Sequence, residues 1–210
     1  MDRISKIVDE GRYYEALQQY KSTYFRYKLR NNPATIDLLR SGAVKLLEHK
    51  QYEGGLELGS LLVEHLVSAD PAASSDSLGA VKSIAEAFSE CSGAEGHQVQ
   101  YLTRAIKWSK GTRESKSVGD ATLHQYIAEA YLKLNNLPLA HMHFACGNDP
   151  KRFATLLRAM SSECRGEEQD LVWARAILQS LCAKNLELAV GLLEESMKTG
   201  NNIEFRKIRL

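Results

Sequence analysis

An all-α fold, built as a solenoid of antiparallel helical hairpins, is predicted from three features of this 210-residue chain. Nearly every segment spaces its apolar side chains by three and four, and runs that alternate apolar with polar residues are nearly absent. Turn-forming clusters recur at short intervals, so successive helices fold back on one another. A helix-start pattern also recurs: Gly11-Arg12-Tyr13-Tyr14-Glu15-Ala16, Lys50-Gln51-Tyr52-Glu53-Gly54-Gly55, Asn135-Asn136-Leu137-Pro138-Leu139-Ala140 and Lys184-Asn185-Leu186-Glu187-Leu188-Ala189. In each, an aromatic residue or Leu is followed three positions later by Ala or Gly. The starts lie 39, 85 and 49 residues apart. The middle interval is near two periods of about 42, the range of stacked hairpin repeats of the tetratricopeptide or HEAT type.

Taken in order, the breaks define about eleven helices. Gly11 marks a tight turn ahead of the second helix, where Tyr13, Leu17, Tyr20, Tyr24 and Tyr27 step by four and three along one stripe that has to face other helices. Further breaks fall at Asn31-Asn32-Pro33, Lys50-Gln51, Asp70 to Asp76, Ser92-Gly93 and Lys110 to Gly119. The last four are Asn135-Asn136, Gly147 to Pro150, Arg165-Gly166 and Lys184-Asn185. The small residue one turn into each repeated helix lets a neighbour approach closely, and stacked hairpins then share one continuous core. Gly54, Gly55 and Gly59 lie inside a helical pattern, where close packing explains them better than phosphate binding. There is no strong domain boundary; the loops at 70–77 and 110–120 are the expected mobile points.

Composition excludes several classes. Apolar residues make up 44% and charged residues 25%, with 14 Gly and 4 Pro, which is the profile of an ordered globular chain. With 27 basic and 26 acidic side chains the net charge is +1, so no global excess drives non-specific binding to nucleic acid or anionic membrane. The first ten residues scatter charges and hold no apolar core of a signal peptide, and no apolar run approaches bilayer length. The expected location is the cytosol. Cys91, Cys146, Cys164 and Cys182 form no Cys-x-x-Cys pair and fit neither a zinc ribbon nor a disulfide scaffold, so reduced, mostly buried thiols are expected.

Chemistry-bearing patterns are few. His141-x-His143-x-x-Cys146 is the one arrangement that looks like metal ligation, but residues two apart on a helix point to nearly opposite faces, so no metal is expected there. Cys164 and Ser41 lack a His and a carboxylate that the sequence can place beside them, and no phosphate-binding glycine loop occurs. The chain reads as a non-enzyme without cofactor. An RNA-reading repeat needs base-reading side chains at fixed offsets, which are absent. A groove for peptides, or a clamp for a peptide's carboxylate, remains an alternative use.

Local charge is more informative than the total. Residues 1–50 hold 10 basic and 6 acidic side chains, whereas residues 51–100 hold 1 and 8. On the second helix Gln18, Lys21 and Lys28 lie away from the Tyr stripe, and Arg26 and Arg30 form a one-turn pair, with Arg30 at the negative end of the helix dipole. Glu53, Glu57, Ser60 and Glu64 make an acidic stripe on the fourth helix. Such stripes either neutralise each other in solvent or form a bipolar docking surface.

Tyr13 to Tyr27 (YYEALQQYKSTYFRY), Ser41 to Leu47 (SGAVKLL), Asp120 to His124 (DATLH) and Ala174 to Cys182 (ARAILQSLC) together resemble the Golgi-to-ER traffic protein four family. Those proteins are scaffolds of the guided-entry pathway for tail-anchored membrane proteins. The resemblance covers nearly the whole chain. It implies a single non-catalytic cytosolic solenoid over residues 1–210, whose N-terminal half, about 1–110, docks the homodimeric targeting ATPase in its nucleotide-loaded closed form. The C-terminal half, about 111–210, is then adaptor-facing and holds a ubiquitin-like adaptor that leads to upstream chaperones. The ATPase-binding residues so implied are Tyr14, Gln18, Lys21, Arg26 and Glu57, with no nucleic acid and no direct membrane insertion. Two departures stand out. Family members continue for several helices past the Ala174 to Cys182 block, whereas this chain stops at Ile203 to Leu210, so an incomplete adaptor half and an exposed Leu186, Leu188, Leu192, Leu193 end are expected. Leu17 also stands where many relatives carry a His, so one polar contact to the ATPase is expected to be absent.

Overall fold

The computed structural model describes residues 2–111, 118–166 and 168–198. Its described residues form eleven helices and no strand. In order these are α1 (Asp2–Asp9), α2 (Tyr13–Leu29), α3 (Thr35–Glu48), α4 (Tyr52–Ala69), α5 (Ser75–Glu90) and α6 (Glu95–Ser109). The second half holds α7 (Ala121–Lys133), α8 (Leu137–Phe144), α9 (Pro150–Ser162), α10 (Gln169–Cys182) and α11 (Leu186–Lys198).

Five helix ends use one device. Gly11, Asn31, Lys50, Asn135 and Lys184 all adopt left-handed backbone, with φ between 48° and 77°. Each donates its N–H to the carbonyl three residues back, and the next residue donates to the carbonyl five back, as Lys50 does to Leu47 (2.8 Å) and Gln51 to Leu46 (2.9 Å). That pair of bonds satisfies the last carbonyls of a helix and reverses the chain. Four of the five residues open the four sequence repeats. The residue after them starts the next helix: the side-chain oxygens of Asn136 and Asn185 accept from the backbone N–H of Leu139 (3.3 Å) and Leu188 (3.1 Å). The small residue of the repeat, Ala16, Gly55, Ala140 or Ala189, is buried every time. A fifth start escaped the sequence pattern. Gly93, at φ 88°, divides the 85-residue interval into 43 and 42, but Gln98 occupies the small residue's place and is buried, its amide donating to Ser89 Oγ at 2.8 Å.

The hairpins stack in two layers. Helices α1, α3, α5 and α7 pack side by side in one, and α2, α4 and α6 in the other. In the second half, α10 packs on α9 and α11, and α8 joins them to α7. Two apolar cores result. The first runs from α1 to α7 and holds Tyr20, Tyr24, Leu62, Phe88, Tyr101 and Trp108; the second holds Phe144, Phe153, Trp173, Ile177, Leu188 and Leu192. Helix α7 serves both, giving Leu123 and Ile127 to the first and Ala128 to the second, while Tyr131 packs against each.

The Tyr stripe of α2 does face its neighbours. Tyr20 and Tyr24 are buried, and Tyr13, Leu17 and Tyr27 pack half-buried beside them. The α4 glycines mark close approach: a Cβ on Gly55 would sit 2.6 Å from Leu47, and one on Gly59 2.9 Å from the Tyr101 ring. Two expectations need correction. The 70–77 loop is pinned, since Asp70 accepts from the backbone N–H (3.0 Å) and hydroxyl (2.5 Å) of Ser74 and its carbonyl takes the Trp108 indole N–H (2.9 Å). Of the 110–120 loop, residues 112–117 lie outside the described residues, as do Ile203 to Leu210. On α11, Leu188 and Leu192 are buried in the second core, because the helical turn sets them opposite Leu186, Val190 and Met197, which are the exposed residues.

Candidate docking surface

The outward face of α2 is built by the same arithmetic that buries its Tyr stripe. Tyr14, Gln18, Lys21 and Phe25 step by four, three and four, so they share one face. Tyr14 is 77% exposed, Phe25 52% and Leu29 86%. Helix α4 lies alongside, and Lys21 Nζ forms an ion pair with Glu57 across the two helices. Glu64, two stripe positions further, pairs with Arg104 of α6 at 3.6 Å, while Ser60 between them is buried. The acidic stripe is therefore tied to a cation on either side. Val67, 57% exposed, extends the apolar content of this layer.

Arg26 stands apart. Five residues beyond Lys21 it lies roughly 140° around the helix, exposed, with its guanidinium donating to Thr23 Oγ1 at 3.1 Å. The structure thus brings Tyr14, Gln18, Lys21 and Glu57 to one surface and puts Arg26 on its flank. Leu17 points inward, half-buried against the first core. Phe25, Leu29 and Arg104 were missed by reading the sequence for charge alone. For Phe25 the signal was present: it continues the 14, 18, 21 spacing.

Large apolar side chains in solvent, with a salt bridge among them, have the composition of a protein interface, where aromatic anchors are ringed by polar groups. The Lys21–Glu57 pair is partly exposed, so its worth to the fold is about 0–1 kcal/mol and its members are cheaply exchanged for a partner's charges.

Other candidates resolve differently. His141 is buried edge-on to Phe153 (5.1 Å between ring centroids), whereas His143 turns to the other side and meets His124 of α7. Among the described residues no three His, Cys, Asp or Glu side chains are placed to share a metal ion. Burial, with Arg175 nearby, holds the His141 imidazole below its ordinary pKa. Ser41 Oγ donates to Asp37 O at 2.6 Å and Cys164 Sγ to Met160 O at 3.3 Å, both ordinary intrahelical bonds. The thiols are less buried than expected: Cys91, Cys146 and Cys164 are half-buried and Cys182 is exposed. Burial pushes the Cys91 and Cys146 thiols up, so neither is an activated nucleophile.

The second half carries a groove of about 1130 Å³ between α8 and α10, lined by Met142, Met160, Leu171, Leu178, Cys164 and Cys182, with Arg175 and Glu168 at its edge. Helix α8 has only 8 residues against the 14 of α10, which leaves this space in the layer.

A family model described as Golgi to ER traffic protein 4 matches residues 29–207. The Golgi to ER traffic protein 4 homolog of Bos taurus is 34% identical over 181 residues, 85% of this chain and 54% of that protein. The Dictyostelium discoideum homolog is 33% identical over 186 residues, covering 87% and 58%. Protein GET4 of Arabidopsis thaliana is 30% identical over 227 residues, covering 94% and 70%. The chain thus spans little more than half the length of the first two of these relatives. A crystal structure of C. therm. Get4 superposes with a TM-score of 0.81 at 24% identity, over 95% of this chain and 64% of that one, and shows the same fold. The family match over residues 29–207 and the identity to these relatives settle the family: the chain belongs to the Golgi to ER traffic protein 4 family.

Proposed function

We propose that this protein is a non-catalytic cytosolic scaffold for the targeting of tail-anchored membrane proteins to the ER. It docks the homodimeric targeting ATPase through the α2–α4 face. The observation that carries this reading is that face itself, with Tyr14, Phe25 and Leu29 in solvent around the Lys21–Glu57 pair. The name of the relatives, Golgi to ER traffic protein 4, agrees with such a role. No helix among the described residues is long and apolar enough to cross a membrane. The C-terminal half faces the ubiquitin-like adaptor, and the α8–α10 groove is the apolar surface there that supports it.

Calorimetric titration into the ATPase, with and without ATP and at two salt concentrations, tests the reading. Lys21→Glu together with Arg26→Glu is expected to weaken binding about tenfold or more and to reduce its salt dependence, with helicity unchanged. Swapping the pair, Lys21→Glu with Glu57→Lys, restores the internal salt bridge but not the partner contact, and binding stays weak. Unchanged affinity in a folded double variant would overturn the residue assignment. A second reading, a generic helical-repeat peptide-binding adaptor, is favoured by the groove alone. Competition by short peptides for the α8–α10 surface, with no ATPase binding, would put it first.

A further inference from the structure

The seam between the two cores holds three rings that the docking face does not use. Nδ1 of His124 in α7 and Nδ1 of His143 in α8 lie 2.9 Å apart, and Tyr131 stacks on His143 with centroids 5.7 Å apart at 16°. Nε2 of His124 is 3.1 Å from Val118 O. A carbonyl can only accept, so His124 keeps its proton on Nε2 and, when neutral, offers a bare Nδ1. The contact between the two Nδ1 atoms then requires the proton on Nδ1 of His143. Geometry alone fixes both tautomers.

We propose that this pair is a proton-counting latch on the α7–α8 hairpin, closed while it holds at most one extra proton and forced open by the second. One added proton still leaves an N–H and a lone pair between the rings, so the bond persists in charged form. The second sets two N–H groups face to face at the 2.9 Å contact, and neither can accept. Either His143 then leaves α7 or His124 lets go of Val118.

The surroundings oppose protonation. His124 is buried, and Lys110 at the end of α6 adds positive potential at both rings. Asp120, which caps α7, favours the proton on His124, but its carboxylate is also held by Lys82 of α5 at 2.9 Å. Just past the end of α8, the Cys146 thiol is pushed up by burial and stays neutral. Further along α7, Glu129 is engaged by Gln125 (3.1 Å) and by Arg152 of α9 (3.6 Å). Burial, then His124 and Lys110, holds His143 down to about 4, and burial with Lys110 lowers His124 as well. Because the folded values lie below 6.5, this contribution to stability is complete above that pH and is lost as the pH falls towards about 4. Acid therefore loosens the hairpin that joins the two cores.

Two measurements test the latch. Imidazole 15N shifts of the unaltered chain at pH 7.5 are expected to show His124 as the Nε2–H tautomer and His143 as Nδ1–H. A Nε2–H His143 would overturn the proposal without any variant. Hydrogen exchange, corrected for its intrinsic pH dependence, is expected to show α7–α8 losing about tenfold more protection than α3–α4 between pH 7.5 and 4.5. His143→Asn keeps an N–H aimed at His124 Nδ1 but cannot take up a proton, and is expected to abolish that excess. The same excess loss in the folded variant would sink the latch.

Discussion

Gly55→Val is expected to destabilise the protein by about 3 kcal/mol, the upper end of what overpacking a close-packed interior costs. A Cβ there would lie 2.6 Å from both Cγ and Cδ2 of Leu47, and Leu47 is only 1% exposed, so it has no open space to move into. Either α4 lifts off α3, the most extensive hairpin contact of the solenoid, or Leu47 leaves its rotamer. The contrast is Gly79→Ala in α5. Gly79 is exposed and a Cβ on it meets nothing within 4 Å, so the substitution is expected to stabilise by about 0.5–1 kcal/mol through helix propensity alone. Urea denaturation of both variants decides the matter. A Gly55→Val variant as stable as the parent would mean that the α3–α4 approach is not a constraint.

Trp173→Ala is expected to cost about 3–5 kcal/mol, because it empties the largest fully buried side chain of the second core. Against a total stability of about 5–15 kcal/mol for a native domain, that is a large share. The loss is local in a stacked architecture, where each hairpin contacts only its neighbours. Hydrogen exchange is expected to rise in α9, α10 and α11 and to stay near the parent level in α3 and α4. Trp173→Phe separates volume from polarity. The Trp173 indole N–H has no hydrogen-bond partner among the described residues, so phenylalanine removes an uncompensated donor along with part of the ring. Its cost is expected to stay below about 1.5 kcal/mol. Equal losses for the two variants would show that the indole nitrogen matters after all.

The candidate site was half legible in the sequence. Charge counting found Lys21 on α2 and the Glu53, Glu57, Glu64 stripe, and the helical period put Lys21 away from the buried tyrosines. It leaves open whether the two stripes neutralise each other or form a bipolar docking surface, and does not say which side chains meet. In the structure Lys21 and Glu57, 36 residues apart, bind each other, and Glu64 turns to Arg104 on the far side. The family resemblance groups Arg26 with Lys21 as ATPase-binding residues; their five-residue separation turns Arg26 roughly 140° around α2 from Lys21. Reading for charge also passed over Phe25 and Leu29, although exposed apolar side chains are the better mark of a docking surface.

Local chemistry by itself determined the helices of this protein. The eleven-helix count, the buried Tyr stripe and the small residue one turn into each repeated helix depend on contacts within about four residues, on the 3.6-residue turn and on turn residues that tolerate left-handed backbone. Those quantities are written in sequence spacing. Only the tertiary structure decided which helix lies beside which and at what height: that Lys21 meets Glu57, that His143 meets His124, that Leu188 and Leu192 turn inward while Leu186 does not. Such pairings join residues on separate helices, and the pitch and offset of the stack, set by the packing of whole helix faces, have no period in the chain from which to read them.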